Sequence, residues 1–191
     1  MSNLILLGAG GHAQSVIDVV EAQGKYTIIG LIAPDPHGEF LYKILGNDEI
    51  IENMLKLHYS TFHIAIGSVP HPDIRIRVYQ KFEGQEIDWA TVVSPFSYIA
   101  PSAKIQAGVF IGHNVMIGPN VLIHAHAIIN SGAVIEHGAE IGSFTHVAPN
   151  ATILGETTIG SGSFIGSGAV VRGAFLRESI VPAAVFMKGG V

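Results

Sequence analysis

The 191-residue sequence predicts two units in series: a small parallel α/β unit over residues 1–90, resembling half of a Rossmann fold, and a parallel β-helix of hexapeptide repeats over residues 91–191. Two observations carry this reading. The first is a strand, Gly-rich turn and helix at the start, followed by further strand–helix alternation. The second is a six-residue aliphatic period that begins near residue 93 and runs for most of the remaining chain.

The opening stretch "LILLGAGGHAQSVIDVVEAQG" reads as strand, turn and helix. Its first part is a continuous apolar run, as expected for a strand buried on both faces of a parallel sheet. Ala13, Val16, Ile17 and Val20 then fall on one helical face, and Gly24 supplies a stop. "YTIIGLIA" is a second strand, "NDEIIENMLKL" a helix, "FHIAIG" a third strand, and "PDIRIRVYQKF" a helix with Pro72 near its start.

The turn "GAGGHA" fits the pattern G-x-G-x-x-G/A through Gly8, Gly10 and Ala13. Its position between a strand and a helix points to phosphate binding, because the free N–H groups and dipole of a helix N-terminus favour an anion. The other reading is a tight turn that binds nothing. A full dinucleotide fold needs two mononucleotide halves, more chain than the first 90 residues supply. Half a fold suits a mononucleotide, such as the nucleotide part of a sugar nucleotide. Asp35, just after the second strand, stands where a carboxylate would accept hydrogen bonds from a ribose or base.

From Ile99, every sixth residue to Val171 is Ile or Val, thirteen positions in all, and Val93 extends the series backwards. Four residues after each aliphatic residue comes a small or β-branched one, from Ala103 to Ala169. Gly follows directly at Gly112, Gly118, Gly142, Gly160 and Gly166. A period of six is neither helical nor simply alternating, so it describes short strands joined by corners. The aliphatic residue points inward, the small residue fills a tight interior, and Gly permits a positive φ or a close approach. Three hexads make a triangular coil, and coils stack as parallel strands about 4.8 Å apart. Position 177 is Arg, so the pattern predicts a loop over "RGAFLRES" and a restart near Ile180, three residues out of phase, with "IVPAAVFMK" as a last strand or partial coil.

Composition narrows the function classes. The chain has no cysteine, which excludes disulfides, thiolate metal sites and a cysteine nucleophile. Ten Lys and Arg against fifteen Asp and Glu, with no basic run, argue against nucleic acid as a partner. No apolar run approaches the roughly 18 residues of a membrane span, and "NLILL" is too short for a secretory core, so the expectation is a cytoplasmic protein without membrane insertion. A charged share of only 13% suggests that much surface is buried between subunits or layers.

The α/β unit with "GAGGHA", the "IGS" followed by Arg75 and Arg77, "VVSPFSYIAPSAKI" and "IINSGAVIEHGAEIGSFTHVAP" together resemble one family over nearly the whole chain. It is the bacterial sugar O-/N-acyltransferases of the sialic acid O-acetyltransferase (NeuD) and bacillosamine-pathway N-acetyltransferase (PglD) type. The resemblance implies a left-handed β-helix and acetyl transfer from acetyl-CoA to an amino or hydroxyl group of a nucleotide-linked sugar, in surface-glycan biosynthesis. It also implies a homotrimer with active sites between subunits and no metal. His137 falls on the family's catalytic histidine and Asn130 on its substrate-side asparagine. His146 falls on the histidine that approaches the acetyl-CoA thioester, Gly155 and Ser167 on the acetyl-CoA path, and Gly8, Gly10, Gly11 and His12 on the sugar-nucleotide turn. Two features depart from the pattern. The acidic residue that usually follows the histidine is Gly138, and "FMKGGV" stands in place of a longer tail that lines the CoA site.

The chemistry of these residues agrees with the resemblance. An imidazole titrates near pH 6.5 and accepts a proton at neutral pH, as acyl transfer requires. Without a cysteine nucleophile, direct attack in a ternary complex is favoured over an acetyl-enzyme. His137 and His146 lie nine residues apart, half a coil, and one coil side is roughly 20 Å long. Two histidines so placed serve one reaction only across a subunit interface. Glu156, diagonal to His137 in the next coil, is a candidate to replace the missing acid, as are a water or a backbone carbonyl. His113, His124 and His126 read as structural or interface residues. Two rivals stand beside this reading. A γ-carbonic-anhydrase-like zinc enzyme shares the β-helix, but the histidine spacings of 11, 2, 11 and 9 lack its His-x4-His pair. A non-catalytic nucleotide-sugar-binding scaffold would also use the turn.

Overall fold

A computed structural model describes residues 1–59 and 61–190. The N-terminal unit contains β1 (Ser2–Leu7), α1 (Gly11–Gln23), β2 (Tyr26–Ile32), β3 (Ile44–Gly46), α2 (Ile51–Lys56), β4 (Thr61–Ile64), α3 (Asp73–Gln80) and β5 (Asp88–Trp89). The five strands form one parallel sheet in the order β3-β2-β1-β4-β5. Apolar residues of β1 alternate between its faces: Leu4 and Leu6 join the layer of α1, while Ile5 and Leu7 pack with Ile51 of α2 and Val78 of α3. α1 ends where expected, at Gly24 with φ +65°, whose N–H bonds to the Val20 carbonyl.

The second unit is a left-handed parallel β-helix with sheets of six, five and six strands, nearly all of two residues. Successive strands pair in register at 18-residue intervals, as in Ile99↔Ile117↔Ile135↔Ile153. The aliphatic column fills the interior, and Ile117, Ile123, Ile129, Ile135 and Ile141 are fully buried. The small-residue column is buried with it, from Val109 through Ala133 and Thr145 to Ala169.

The two backbone needs of a corner fall on different columns. The glycine after the aliphatic residue serves close approach, since a β carbon at Gly118 would stand 2.9 Å from the His137 backbone nitrogen. The positive φ falls two residues later, at Asn114, Asn120, Gly132, Gly138, Asn150 and Glu156 among others.

One expectation is overturned. "RGAFLRES" is not a loop but contains the strand Ala174–Phe175, which pairs with Thr158–Ile159. From there the register interval is 16: Ile159↔Phe175, Ile165↔Val181 and Val171↔Met187. The corner at Gly173 (φ +102°) is two residues shorter than the others, so the inward residue after Val171 is Phe175 and the next is Val181, not Ile180. The chain thus continues the stack through "RGAFLRES" into the last two strands, Ile180–Val181 and Phe186–Lys188.

The units share a core. The outward residues Val92, Phe110 and Ile128 of one β-helix sheet pack beneath α1 with Ala13, Val16 and Val20. His146 is the next rung of that ladder after Ile128, followed by Phe164 and Ile180. A buried histidine therefore replaces an apolar rung where the edge of the N-terminal unit meets the β-helix.

Candidate active site

A cavity of about 410 Å³ opens at that edge, lined by Gly10, Gly11 and His12 from the turn, Gly67 and Val69 beyond β4, and Asn130 and His146 from the β-helix. The structure thus brings together most residues of the Gly-rich turn with two residues expected at the site, about 120 or more positions downstream. α1 has no side-chain cap at Gly10, so its first N–H groups remain available at the cavity wall.

The polar groups here form a directed chain. The Ser131 N–H donates to Asn130 Oδ1 (2.8 Å), which fixes the amide. Asn130 Nδ2 then lies 3.3 Å from His146 Nε2. His146 Nδ1 lies 2.6 Å from the Ser68 carbonyl oxygen, and since a carbonyl only accepts, the imidazole proton is on Nδ1. The ring meets Phe164 edge-on at 5.3 Å. Burial lowers the His146 pKa; the Ser68 bond raises it in part, and the Arg75 charge lowers it again.

Arg75 of α3 is fully buried, with one hydrogen bond among the described residues, from Nη2 to the His126 carbonyl (2.6 Å). Burial pushes its pKa down to about 9, which leaves it charged at neutral pH. His12 is held well below its ordinary pKa by burial, then by the charge of Arg75 and by the neighbouring His63 and His146. Burial takes His63, whose Nδ1 bonds the Ala90 carbonyl (2.8 Å), to about 4, with Arg75 adding to the shift. His126 is taken to about 3 by burial and then Arg75, with its ring stacked on Phe144 and edge-on to Trp89. One buried cation surrounded by neutral imidazoles is the electrostatic signature of the domain junction. The sequence marked Arg75 only as part of a motif and gave no role to His63 or Ser68. The available signal was a histidine inside the apolar strand "FHIAIG".

A second cavity, about 360 Å³, lies on the other side of the turn at the carboxyl ends of β1, β2 and β4. Leu7, Ile32, Ile66, Ile74 and Val78 make it apolar, and Arg77, Lys81 and Asp48 give it polar groups. Gly8 lines this second space and not the first. With φ +117°, and with a hypothetical β carbon meeting Ile66 Cγ1 at 2.5 Å, only glycine fits there. Asp35 is exposed beside this turn, 3.2 Å from His37 Nε2, and the His37 N–H bonds back to the Ala9 carbonyl.

His137 lies elsewhere. It is exposed, at the corner after the strand Val134–Ile135, on a different side of the β-helix from His146. Its ring lies over Gly155 of the next coil, where a β carbon would come within 2.6 Å of both Cε1 and Nε2. The Glu156 N–H bonds the His137 carbonyl (2.9 Å), but among the described residues no hydrogen bond joins the Glu156 carboxylate to the imidazole. Ser167 is exposed in a corner further along the β-helix, its carbonyl bonded by the Ala184 N–H. The other repeat histidines are tied down: His113 bridges Ser94 Oγ and Asp18 at 2.6 Å each, and His124 meets Glu140 at 2.6 Å. Among the described residues no three His, Asp or Glu side chains converge as a metal site, and no helix is long and apolar enough to cross a membrane.

Residues 3–82 match the PglD N-terminal domain, and residues 102–137 and 138–173 match the bacterial transferase hexapeptide (six repeats). The chain thus carries a PglD N-terminal domain followed by bacterial transferase hexapeptide repeats. Its fold is similar to the acetyltransferase domain of PglB from Neisseria gonorrhoeae, with a TM-score of 0.89 at 24% identity over 98% of this chain and 92% of that one. The same domain solved with acetyl coenzyme A gives 0.83 at 22% identity over 98% and 96%. PerB from Caulobacter crescentus, solved with CoA and GDP-perosamine, gives 0.74 at 19% identity over 95% and 94%. An uncharacterized protein of Acanthamoeba polyphaga mimivirus is 30% identical over 109 residues, 56% of this chain; the match spans 20% of that protein's length.

Proposed function

We propose that this protein is an acetyl-CoA-dependent acetyltransferase acting on an amino or hydroxyl group of a nucleotide-activated sugar, as a cytoplasmic homotrimer. The observation that carries this reading is the closure of one cavity by the Gly-rich turn on one side and Asn130 and His146 of the β-helix on the other. In open parallel α/β sheets ligands lie outside the carboxyl ends of the strands, where connections diverge to opposite faces. Here that point is the Gly8 turn. The apolar cavity behind it suits a nucleobase, the N-terminus of α1 suits the diphosphate, and the sugar then reaches Asn130 and His146. PglB and PerB, solved with acetyl coenzyme A and with CoA and GDP-perosamine, support the choice of both substrates.

His137 is the base in this reading. The acceptor N–H or O–H attacks the thioester carbonyl while His137 Nε2 takes its proton. The tetrahedral intermediate collapses with cleavage of the C–S bond, and the imidazolium returns the proton to the CoA thiolate. Among the described residues no carboxylate lines the sugar cavity, and the Arg75 charge acts on His12 and His146 in its wall. An amine bound there is therefore favoured in its neutral, nucleophilic form.

The trimer brings His137 to the cavity. The β-helix sheet that ends beside His137 presents Tyr98, Met116, Val134, Thr152, Val170 and Phe186 outward in register, a mainly apolar face uncovered in the single chain. Packing this face against a second copy places His137 at the seam between subunits.

The test is acetyl-CoA turnover over a panel of UDP-, GDP-, dTDP- and CMP-linked sugars, with His137→Ala beside wild type. Transfer by wild type and its loss in the variant support the reading; equal rates remove His137 from the chemistry. Metal analysis and a thermal shift with acetyl-CoA decide against or for the zinc-enzyme and scaffold rivals.

A further inference from the structure

The resemblance assigns His146 to the acetyl-CoA thioester, where a donor would be needed for the developing oxyanion. The hydrogen bonds around His146 do not fit that role. Nδ1 carries the ring proton and spends it on the Ser68 carbonyl at 2.6 Å. In the neutral ring Nε2 is then an acceptor only. Its neighbour at 3.3 Å, Asn130 Nδ2, is a donor, because Asn130 Oδ1 already accepts from the Ser131 N–H. The amide cannot be turned over without setting a carbonyl oxygen against a lone pair and leaving the Ser131 N–H to face an NH2 group. The polarity is therefore fixed from the backbone at 131 to the backbone at 68.

Among the described residues this arrangement leaves one Asn130 N–H unengaged, and Asn130 lines the cavity. We propose that His146 is a positioning residue that never touches the thioester: it acts as the Nδ1–H tautomer, accepts one Asn130 N–H at Nε2, and so aims the other at an oxygen of the bound sugar. This deepens the acetyltransferase reading and rests on it for the identity of the ligand. Two ionisable groups act on the ring or are acted on by it: Arg75 from α3 and His12 from α1. No carboxylate is among them. Burial and the guanidinium both disfavour a second proton on the ring, so the acceptor state persists below the pH where an ordinary histidine charges.

Two measurements test the proposal. The first needs no activity. 15N spectra of histidine-labelled wild-type protein should show His146 as the neutral Nδ1–H tautomer at pH 7; an Nε2–H tautomer or an imidazolium overturns the proposal. The second is a double-mutant cycle on KM and kcat for whichever panel sugar is turned over. Loss of one neutral hydrogen bond in Asn130→Ala should raise the sugar KM about tenfold and leave the acetyl-CoA KM unchanged. His146→Ala should act in the same direction, and its effect should vanish in the Asn130→Ala background. Additive effects, or a rise in the acetyl-CoA KM on His146→Ala, overturn the positioning role. Should wild type transfer no acetyl group to any panel sugar, the functional reading fails, while the tautomer spectrum still decides the hydrogen-bond polarity.

Discussion

Gly155→Ala isolates what holds His137 in place. The added methyl would sit 2.6 Å from His137 Cε1 and Nε2, against the roughly 3.5 Å at which carbon atoms pack. The ring must therefore withdraw by about 1 Å. It is exposed and can do so by rotating away, and Gly155 has no positive φ, so an alanine backbone is accommodated. The stability change should stay within about 1 kcal/mol, with the lower unfolded-state entropy of alanine partly offsetting the contact. Catalysis should respond differently, because a misplacement of about 1 Å in a catalytic group costs on the order of 100-fold, or about 2.7 kcal/mol in the barrier. The assay is steady-state acetyl transfer beside a thermal melt. A Tm near wild type with kcat down about 100-fold supports a base seated on the glycine of the next coil. Wild-type kcat in Gly155→Ala refutes that seating, and a collapsed Tm refutes the claim that the ring is free to yield.

Other outcomes follow from the same geometry. Gly138→Asp should fold, since Asn114, Asn120, Asn150 and Glu156 hold the same left-handed conformation, and the new β carbon would meet Glu156 Cγ at an ordinary 3.4 Å. The cost should be about 1 kcal/mol of strain, and kcat should rise about tenfold as the carboxylate supports the imidazolium, whereas a fall in kcat removes the orienting acid from the argument. Stability should decline in acid: His63 and His126 have folded pKa values of about 4 and about 3, below their ordinary 6.5. Their contribution is complete above pH 6.5 and is lost as pH falls toward those values, of order 3 kcal/mol for His63 alone; a flat urea midpoint from pH 7 to pH 4 would contradict this. Val134→Glu with Val170→Glu should turn a trimer into monomers in sedimentation velocity, and an intact trimer would place the interface elsewhere. Phe175→Ala should cost about 3 kcal/mol in a denaturant titration because Phe175 plugs a coil, whereas a surface loop there would give less than about 0.5 kcal/mol.

The sequence made the β-helix legible because its constraint is local and repeated. Each inward position is an aliphatic residue every six positions, and no distant partner is needed to see it. The reading failed where the repeat lost two residues at Gly173. Phe175 took the inward place four residues after Val171, and an aromatic residue out of phase looks like the end of the pattern. The strands β3 and β5 escaped notice for a related reason: at three and two residues, neither is long enough to show a period.

The site was half legible, and the division has a physical basis. A histidine declares itself as a candidate by its chemistry, but five stand in the repeats, and it is the family resemblance that picks out His137 and His146, while the turn at Gly8 to His12 is marked by its glycine spacing. What each nitrogen does is set by its partner, and the partners lie far away in the chain. Ser68, which fixes the His146 tautomer, is 78 residues away, and Arg75 meets the carbonyl of His126 across 51 residues. The same limit applies to His137. The sequence sought an acid beside it, at Gly138 or Glu156, because a base is usually held by a hydrogen bond. The geometry offers a steric answer instead: Gly155, one coil on, leaves a slot in which the imidazole lies. A glycine carries no chemistry of its own to announce that role, and only stacking the coils at their 18-residue register puts it beneath the ring.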